Sequence, residues 1–200
     1  MSKPTTGSNP EVRIAVVGSR AMEIPRFIKD KKEFYQICIK LAQAGVILRS
    51  GGAEGADQVA QAAFYSEYLA GRVNPDQFEI YLPWSGFCCK AFGSKFNKFV
   101  PISQKAKDIA CEIHHKGKAL ATGLESHLVL HARNVYQVLG EDLNTPVQAV
   151  FCWTETGLAS GGTATAMNLA ASRGIPVINL ARDGFERSLS KLEGIINANK

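Results

Sequence analysis

Five short runs of apolar residues punctuate the chain, at Val12–Val17, Val46–Arg49, Gln77–Leu82, Val147–Trp153 and Pro176–Leu180. Each is continuous rather than alternating, which is how a strand buried on both faces reads. The segments between them carry helical spacing. Pro25 can open a helix at its first turn, and Phe27, Phe34, Ile37, Cys38 and Leu41 recur on one face up to Gly45. Further helices are predicted over Ala56–Ala70, Glu125–Leu139 and Thr163–Arg173, closed by Gly71, Gly140 and Gly174, with a terminal helix at Glu186–Ala198. Buried strands separated by helices need crossover connections, and right-handed crossovers place helices on both faces of a parallel sheet. The predicted fold is α/β, a doubly wound, mostly parallel Rossmann-like sheet in a single domain over 11–200. Met1–Pro10 reads as a polar tail. Residues 84–123 break the rhythm as a long excursion with one helix around Ser103–His115.

In an open parallel sheet, ligands bind beyond the carboxyl ends of the strands, near the switch in strand order. Three loops at such places carry suitable residues: Gly18-Ser19-Arg20, Ser50-Gly51-Gly52-Ala53-Glu54-Gly55-Ala56-Asp57, and Ser160-Gly161-Gly162-Thr163-Ala164-Thr165. Glycine lets backbone N–H groups approach an anion, and a following helix N-terminus adds partial positive charge. The hydroxyls of Ser50, Ser160, Thr163 and Thr165 can cap those helices or meet phosphate oxygens. One such loop is as readily a tight turn; three at equivalent places point to a phosphate-bearing ligand. Neither G-x-G-x-x-G nor G-x-x-x-x-G-K-[ST] occurs, which argues against a standard dinucleotide dehydrogenase and a P-loop ATPase.

Composition adds limits. Hydrophobic residues are 46% of the 200 and charged residues 20%, enough for a real core. The formal net charge of +5 suits an anionic partner without requiring one. No apolar run is long enough to span a membrane, and the first ten residues lack the apolar core of a secretory signal. Five cysteines (Cys38, Cys88, Cys89, Cys111, Cys152) form no C-x-x-C pair, so a reducing cytoplasmic setting is expected and neither disulfides nor zinc. His127 and His131 have the i, i+4 spacing of a metal face, and His114-His115 lie close in sequence, but no clear third ligand accompanies them and no metal or cofactor is expected.

The strand ending V-V-G-S-R, the strand ending S-G-G-A-E-G-A-D-Q-V-A, Arg133-Asn134 at a helix start, and S-G-G-T-A-T-A followed by A-x-x-x-G-I-P-V-I-N-L together resemble the SLOG superfamily. Order and spacing over about Val12 to Leu180 are most similar to the Rossmann-like core of the DNA-processing protein A family and its short phage-type relatives. The resemblance implies a nucleotide-related ligand and a homo-oligomer. It also implies two further activities found in the superfamily, single-stranded DNA binding and Lonely-guy-type nucleotide N-glycosidase chemistry. The sequence departs from both patterns. No segment reads as the small helical domain or winged helix of many DNA-processing relatives, and P-G-G-x-G-T-x-x-E is absent, with Ala164 in place of its glycine.

Individual candidates carry two readings each. Arg133 can grip a phosphate bidentately and Asn134 a ribose or base edge; the pair can equally be a surface arginine and a local cap. Glu54 and Asp57 at a helix start can bind ribose hydroxyls or simply complement the helix dipole. In Trp153-Thr154-Glu155, the indole can stack on a base or cap the core edge. Glu155 and Asp57 are the two acids available for glycosidic chemistry, and neither has an identifiable partner carboxylate. Lys90, Lys95, Lys98, Lys105 and Lys107, interleaved with Phe87, Phe92, Phe96 and Phe99, fit a lid, a subunit contact or a single-strand groove. The expected function is capture of a nucleotide-derived small molecule, such as a cyclic nucleotide or an ADP-ribose derivative. In a phage-type protein this could sequester a host defence signal.

Overall fold

The structure, a computed structural model, describes residues 11–87, 96–114 and 117–200. The polar tail and Cys88, Cys89, Lys90, Phe92, Lys95 and His115 lie outside the described residues. The strands are β1 (Arg13–Gly18), β2 (Ile47–Ser50), β3 (Phe78–Leu82), β4 (Asn97–Phe99), β5 (Ala149–Trp153) and β6 (Val177–Asn179). They form one sheet in the order β4-β3-β2-β1-β5-β6, every neighbouring pair parallel. The helices are α1 (Ile28–Gln43), α2 (Ala56–Leu69), α3 (Gln104–Ile113), α4 (Gly117–Thr122), α5 (Glu125–Leu139), α6 (Thr163–Ser172), α7 (Leu180–Asp183) and α8 (Phe185–Ala198). This is the doubly wound Rossmann-like α/β fold that the run of buried strands predicts.

The central strands are apolar throughout because helices cover both faces. Ile14 and Val16 of β1 pack with Phe34 of α1, Phe64 of α2 and Leu192 of α8. Ala15 and Val17 pack with Ala110 of α3, Val135 of α5 and Leu169 of α6 on the other face. β5 alternates in the same way, with Phe151 and Trp153 on the first side and Val150 and Cys152 on the second. All five expected strands are present. β4 is the unexpected one: it has three residues, no apolar run, and only an edge position. Next to it Phe96 stacks on Phe78 at 4.3 Å, so packing rather than strand propensity holds the segment there.

From β1 the chain winds outward through β2, β3 and β4, then returns through α5 to β5 on the other side of β1. The switch in strand order therefore lies between β1 and β5, where Gly18 pairs with Trp153. A cavity at that point is what this topology produces. The close approach is built on Gly18, since a Cβ there would lie 2.5 Å from the Ala56 Cβ and 2.6 Å from the Trp153 carbonyl oxygen. Ser19 N–H donates to that same carbonyl at 3.0 Å, which fastens the first loop to the end of β5. Among the described residues, no helix is long and apolar enough to cross a membrane.

Candidate functional site

A cavity of about 370 Å³ opens at the switch point, within the usual range of about 300–1,000 Å³ for small-molecule pockets. Gly18, Ser19 and Arg20 line it from the first loop, Ala53 and Asp57 from the second, and Ser160 to Thr163 from the third. α5 supplies Leu130, His131, Arg133, Asn134 and Gln137. Arg133 and Asn134 lie two turns inside α5 rather than at a helix start, because the helix begins at Glu125.

These two neighbours tie the loops together. Arg133 Nη1 donates to the Gly51 carbonyl, and at 3.4 Å to the Tyr81 carbonyl. Asn134 Nδ2 donates to the Gly162 carbonyl at 2.8 Å. Arg133 Nη1 thus serves the second glycine loop while the residue lines the cavity in which it is expected to meet a ligand phosphate. Gly51 permits this approach, since a Cβ at that position would run into Arg133 Nη1 and come within 2.6 Å of Gln137 Nε2.

The second loop also closes on itself. Asp57 Oδ2 accepts from Gly51 N–H at 3.1 Å and Ala53 N–H at 3.4 Å, and lies 3.9 Å from Arg133 Nη1. A protein carboxylate thus occupies the place where an anion would sit at the start of α2. Burial pushes the Asp57 carboxyl up to about 6, against the opposing pull of Arg133 and of the Ala53, Gly51 and Gly18 amides. The three loops are therefore not equivalent.

The third loop remains open to an anion. α6 starts after Gly162 with no side-chain cap; Ala164 N–H donates to the Ser160 carbonyl at 3.2 Å and Thr165 N–H to the Gly162 carbonyl at 3.4 Å, which leaves the Gly162 and Thr163 N–H groups without a hydrogen-bond partner among the described residues. Ser160, Gly161 and Gly162 are exposed, and so is Arg20, which lines the same cavity from the first loop. One anion-attracting corner at the rim thus sits above a floor of Asp57, Arg133 and Gln137.

Other expected site residues fall elsewhere. Ser50 is fully buried and donates to the Val16 carbonyl at 3.0 Å. Trp153 is fully buried, edge-on to Phe27, with Nε1 donating to Asp30 Oδ2 at 2.9 Å, so it caps the core and has no face for a base. Thr154 donates to the Leu158 carbonyl and accepts from Asn179 Nδ2, both at 2.8 Å. Gly52 packs against Leu82, Glu54 points to solvent, and neither lines the cavity. Glu155 is exposed and ion-paired with Arg26, outside the cavity, which removes it as the acid for glycosidic chemistry.

Thr165 is buried with Oγ1 2.7 Å from His131 Nδ1, and His127 is exposed. Among the described residues no three His, Cys, Asp or Glu side chains group as a metal site. In the basic-aromatic stretch, Phe87 and Phe96 are buried and Lys107 pairs with Glu125 at 2.5 Å, so these are not open stacking or phosphate-tracking groups.

Sequence reasoning missed Leu130, His131 and Gln137 as lining residues. A signal existed. Once Arg133 and Asn134 are placed on a helix facing the cavity, positions 130 and 137 follow on the same face by helical spacing.

No family model, curated protein or solved structure matches this chain.

The Asp57 environment makes a pH-dependent prediction. Its folded-state pKa lies above the unfolded value of 3.8, so its stabilising contribution is complete below about pH 4 and is lost as pH rises through about 6. Asp57→Asn cannot titrate. Relative to that variant, the wild-type protein is expected to lose on the order of 3 kcal/mol between pH 4 and pH 7. Urea unfolding of both proteins across that range reads the difference, and parallel stability curves would contradict it.

Proposed function

We propose that the switch-point cavity binds a phosphate-bearing, nucleotide-derived small molecule, with the phosphate at the third loop. The observation that carries this reading is that the start of α6 at Gly162, which has no side-chain cap, and the exposed Arg20 line the same cavity, whose other glycine loop is already occupied by Asp57. A helix N-terminus and an exposed guanidinium both attract an anion. The floor is polar, so the ligand carries a hydrogen-bonding head behind its phosphate. The motif resemblance to SLOG proteins supports the same ligand class. Capture fits better than turnover, since Glu155 is outside the cavity and Asp57 is engaged by two amides. One feature favours the N-glycosidase reading instead: Asp57 lines the cavity with a carboxyl pKa raised to about 6, within reach of a general acid's task.

Gly162 provides the test. Its φ of −62° and ψ of −32° suit any residue, and a Cβ there meets nothing within 4 Å. Gly162→Val is expected to keep unfolding stability within about 1 kcal/mol of wild type, while its side chain fills the phosphate corner. Isothermal titration and thermal shift with adenosine monophosphate, ADP-ribose, cyclic dinucleotides and a single-stranded oligonucleotide should show wild-type binding to a small phosphate ester, lost in the variant. Ligand recovered intact by mass spectrometry supports capture, and released base indicates hydrolysis. Salt-dependent oligonucleotide binding without any small-molecule stabilisation would overturn the proposal.

A further inference from the structure

Gln137 is the least explained polar side chain of the cavity. It is 1% exposed, and neither its Nε2 nor its Oε1 has a hydrogen-bond partner among the described residues. A buried amide in that state carries an uncompensated desolvation cost, so its place in a folded core calls for a reason. Its surroundings identify one. It lines the cavity from α5, one turn beyond Arg133, and its Nε2 lies beside the Gly51 backbone at the floor. The charged groups near it are spoken for: Asp57 accepts from Gly51 and Ala53, and Arg133 Nη1 donates to Gly51. Both Gln137 amide atoms are buried at the cavity wall beside Gly51, a donor and an acceptor without a partner among the described residues.

We infer that Gln137 reads the edge of a nucleobase. The inference rests on the proposed binding of a nucleotide-type ligand and names which part of it the floor recognises. With the phosphate at the third loop, the opposite end of the ligand reaches the floor. A glutamine amide presents a donor and an acceptor side by side in one plane. The matching ligand group is a planar edge with an adjacent acceptor and donor, such as a ring nitrogen beside an exocyclic amino group, or a ring N–H beside a carbonyl. A ribose diol matches it less well, because hydroxyls are not constrained to one plane. Pairing satisfies both amide atoms at once. A ligand without such an edge leaves them unpaired, and that asymmetry is a strong source of discrimination.

The test compares nucleoside monophosphates with ribose 5-phosphate, which keeps the phosphate and sugar but has no base. Isothermal titration of the wild-type chain with adenosine, guanosine, cytidine and uridine monophosphates is expected to show at least one binding tenfold or more tighter than ribose 5-phosphate. Gln137→Met, close in length and unable to pair, should erase that preference. The affinity of ribose 5-phosphate should change less than twofold. The unliganded melting temperature should hold or rise, because the amide it replaces is unpaired; Gln137→Leu serves as a second variant of different shape. Equal weakening of nucleotide and ribose 5-phosphate, unchanged nucleotide affinity, or a lowered melting temperature in both variants would overturn the base-edge role while leaving phosphate binding intact. Absence of binding by every phosphate ester would overturn both readings.

Discussion

Arg133→Ala is expected to lower the unfolding free energy at pH 8 by about 3–5 kcal/mol, the cost of removing one partner from a buried charged pair. The guanidinium is 5% exposed, and it sits 3.9 Å from a carboxylate that is itself buried. Its loss strands the Asp57 charge and leaves the Gly51 carbonyl without its side-chain donor. The penalty should shrink at pH 5. Without the cation, the Asp57 carboxyl rises further above about 6 and protonates in the folded state, which relieves the stranded charge. Arg133→Lys should recover only part of the loss, because a compact ammonium is more strongly hydrated and costlier to bury than the planar guanidinium, which also lies over the Phe87 ring. Urea unfolding at both pH values measures this. An Arg133→Ala protein within 1 kcal/mol of wild type at pH 8 would show that the pair does not organise the second loop.

Gly55→Ala should be comparably severe, at roughly 3 kcal/mol or more, from backbone strain plus a collision. Gly55 has φ +84° and ψ −130°, a combination essentially confined to glycine. A Cβ there would collide with the Ser19 carbonyl and lie 2.7 Å from the Arg20 Cα, so backbone rather than a flexible side chain would have to move. The first and second loops would be forced apart, and with them the rim that carries Arg20. Gly45→Ala is the control. It has a similar φ of +82°, but a Cβ there meets nothing within 4 Å, so it should cost only about 1 kcal/mol. Thermal unfolding of the two variants should separate them clearly. Equal melting temperatures would mean that the contact between the loops has no structural weight.

The candidate site was legible in the sequence to the extent that local chemistry determines it. Glycines after strands mark turns that bring backbone amides to the carboxyl edge of a parallel sheet, and this located all three loops that meet at the cavity. The roles within those loops were not legible. Asp57 at a helix start reads the same whether it binds a ribose or accepts from its own loop, and only the folded geometry shows its Oδ2 on Gly51 and Ala53. Arg133 likewise reads as a phosphate ligand or a structural cation, and only the folded geometry shows its Nη1 on the Gly51 carbonyl. Trp153 reads as a stacking platform until its burial against Phe27 and its bond to Asp30 are seen.

The apolar runs by themselves determined the fold class, because strands covered on both faces must be continuously hydrophobic, and each run is followed by helical spacing ended by glycine. Elements without their own hydrophobic signal were decided only by tertiary packing. β4 is held beside β3 with the help of Phe96 on Phe78, a contact between residues 18 apart in the chain. The functional face of α5 was decided in the same way. Its residues at 130, 133, 134 and 137 become a cavity wall only because the crossover lays the helix across the ends of two loops more than a hundred residues apart. Hydrophobic periodicity reports which side of a helix is buried. It does not report whether a buried polar group such as Gln137 has a partner, since that depends on groups brought together from distant parts of the chain.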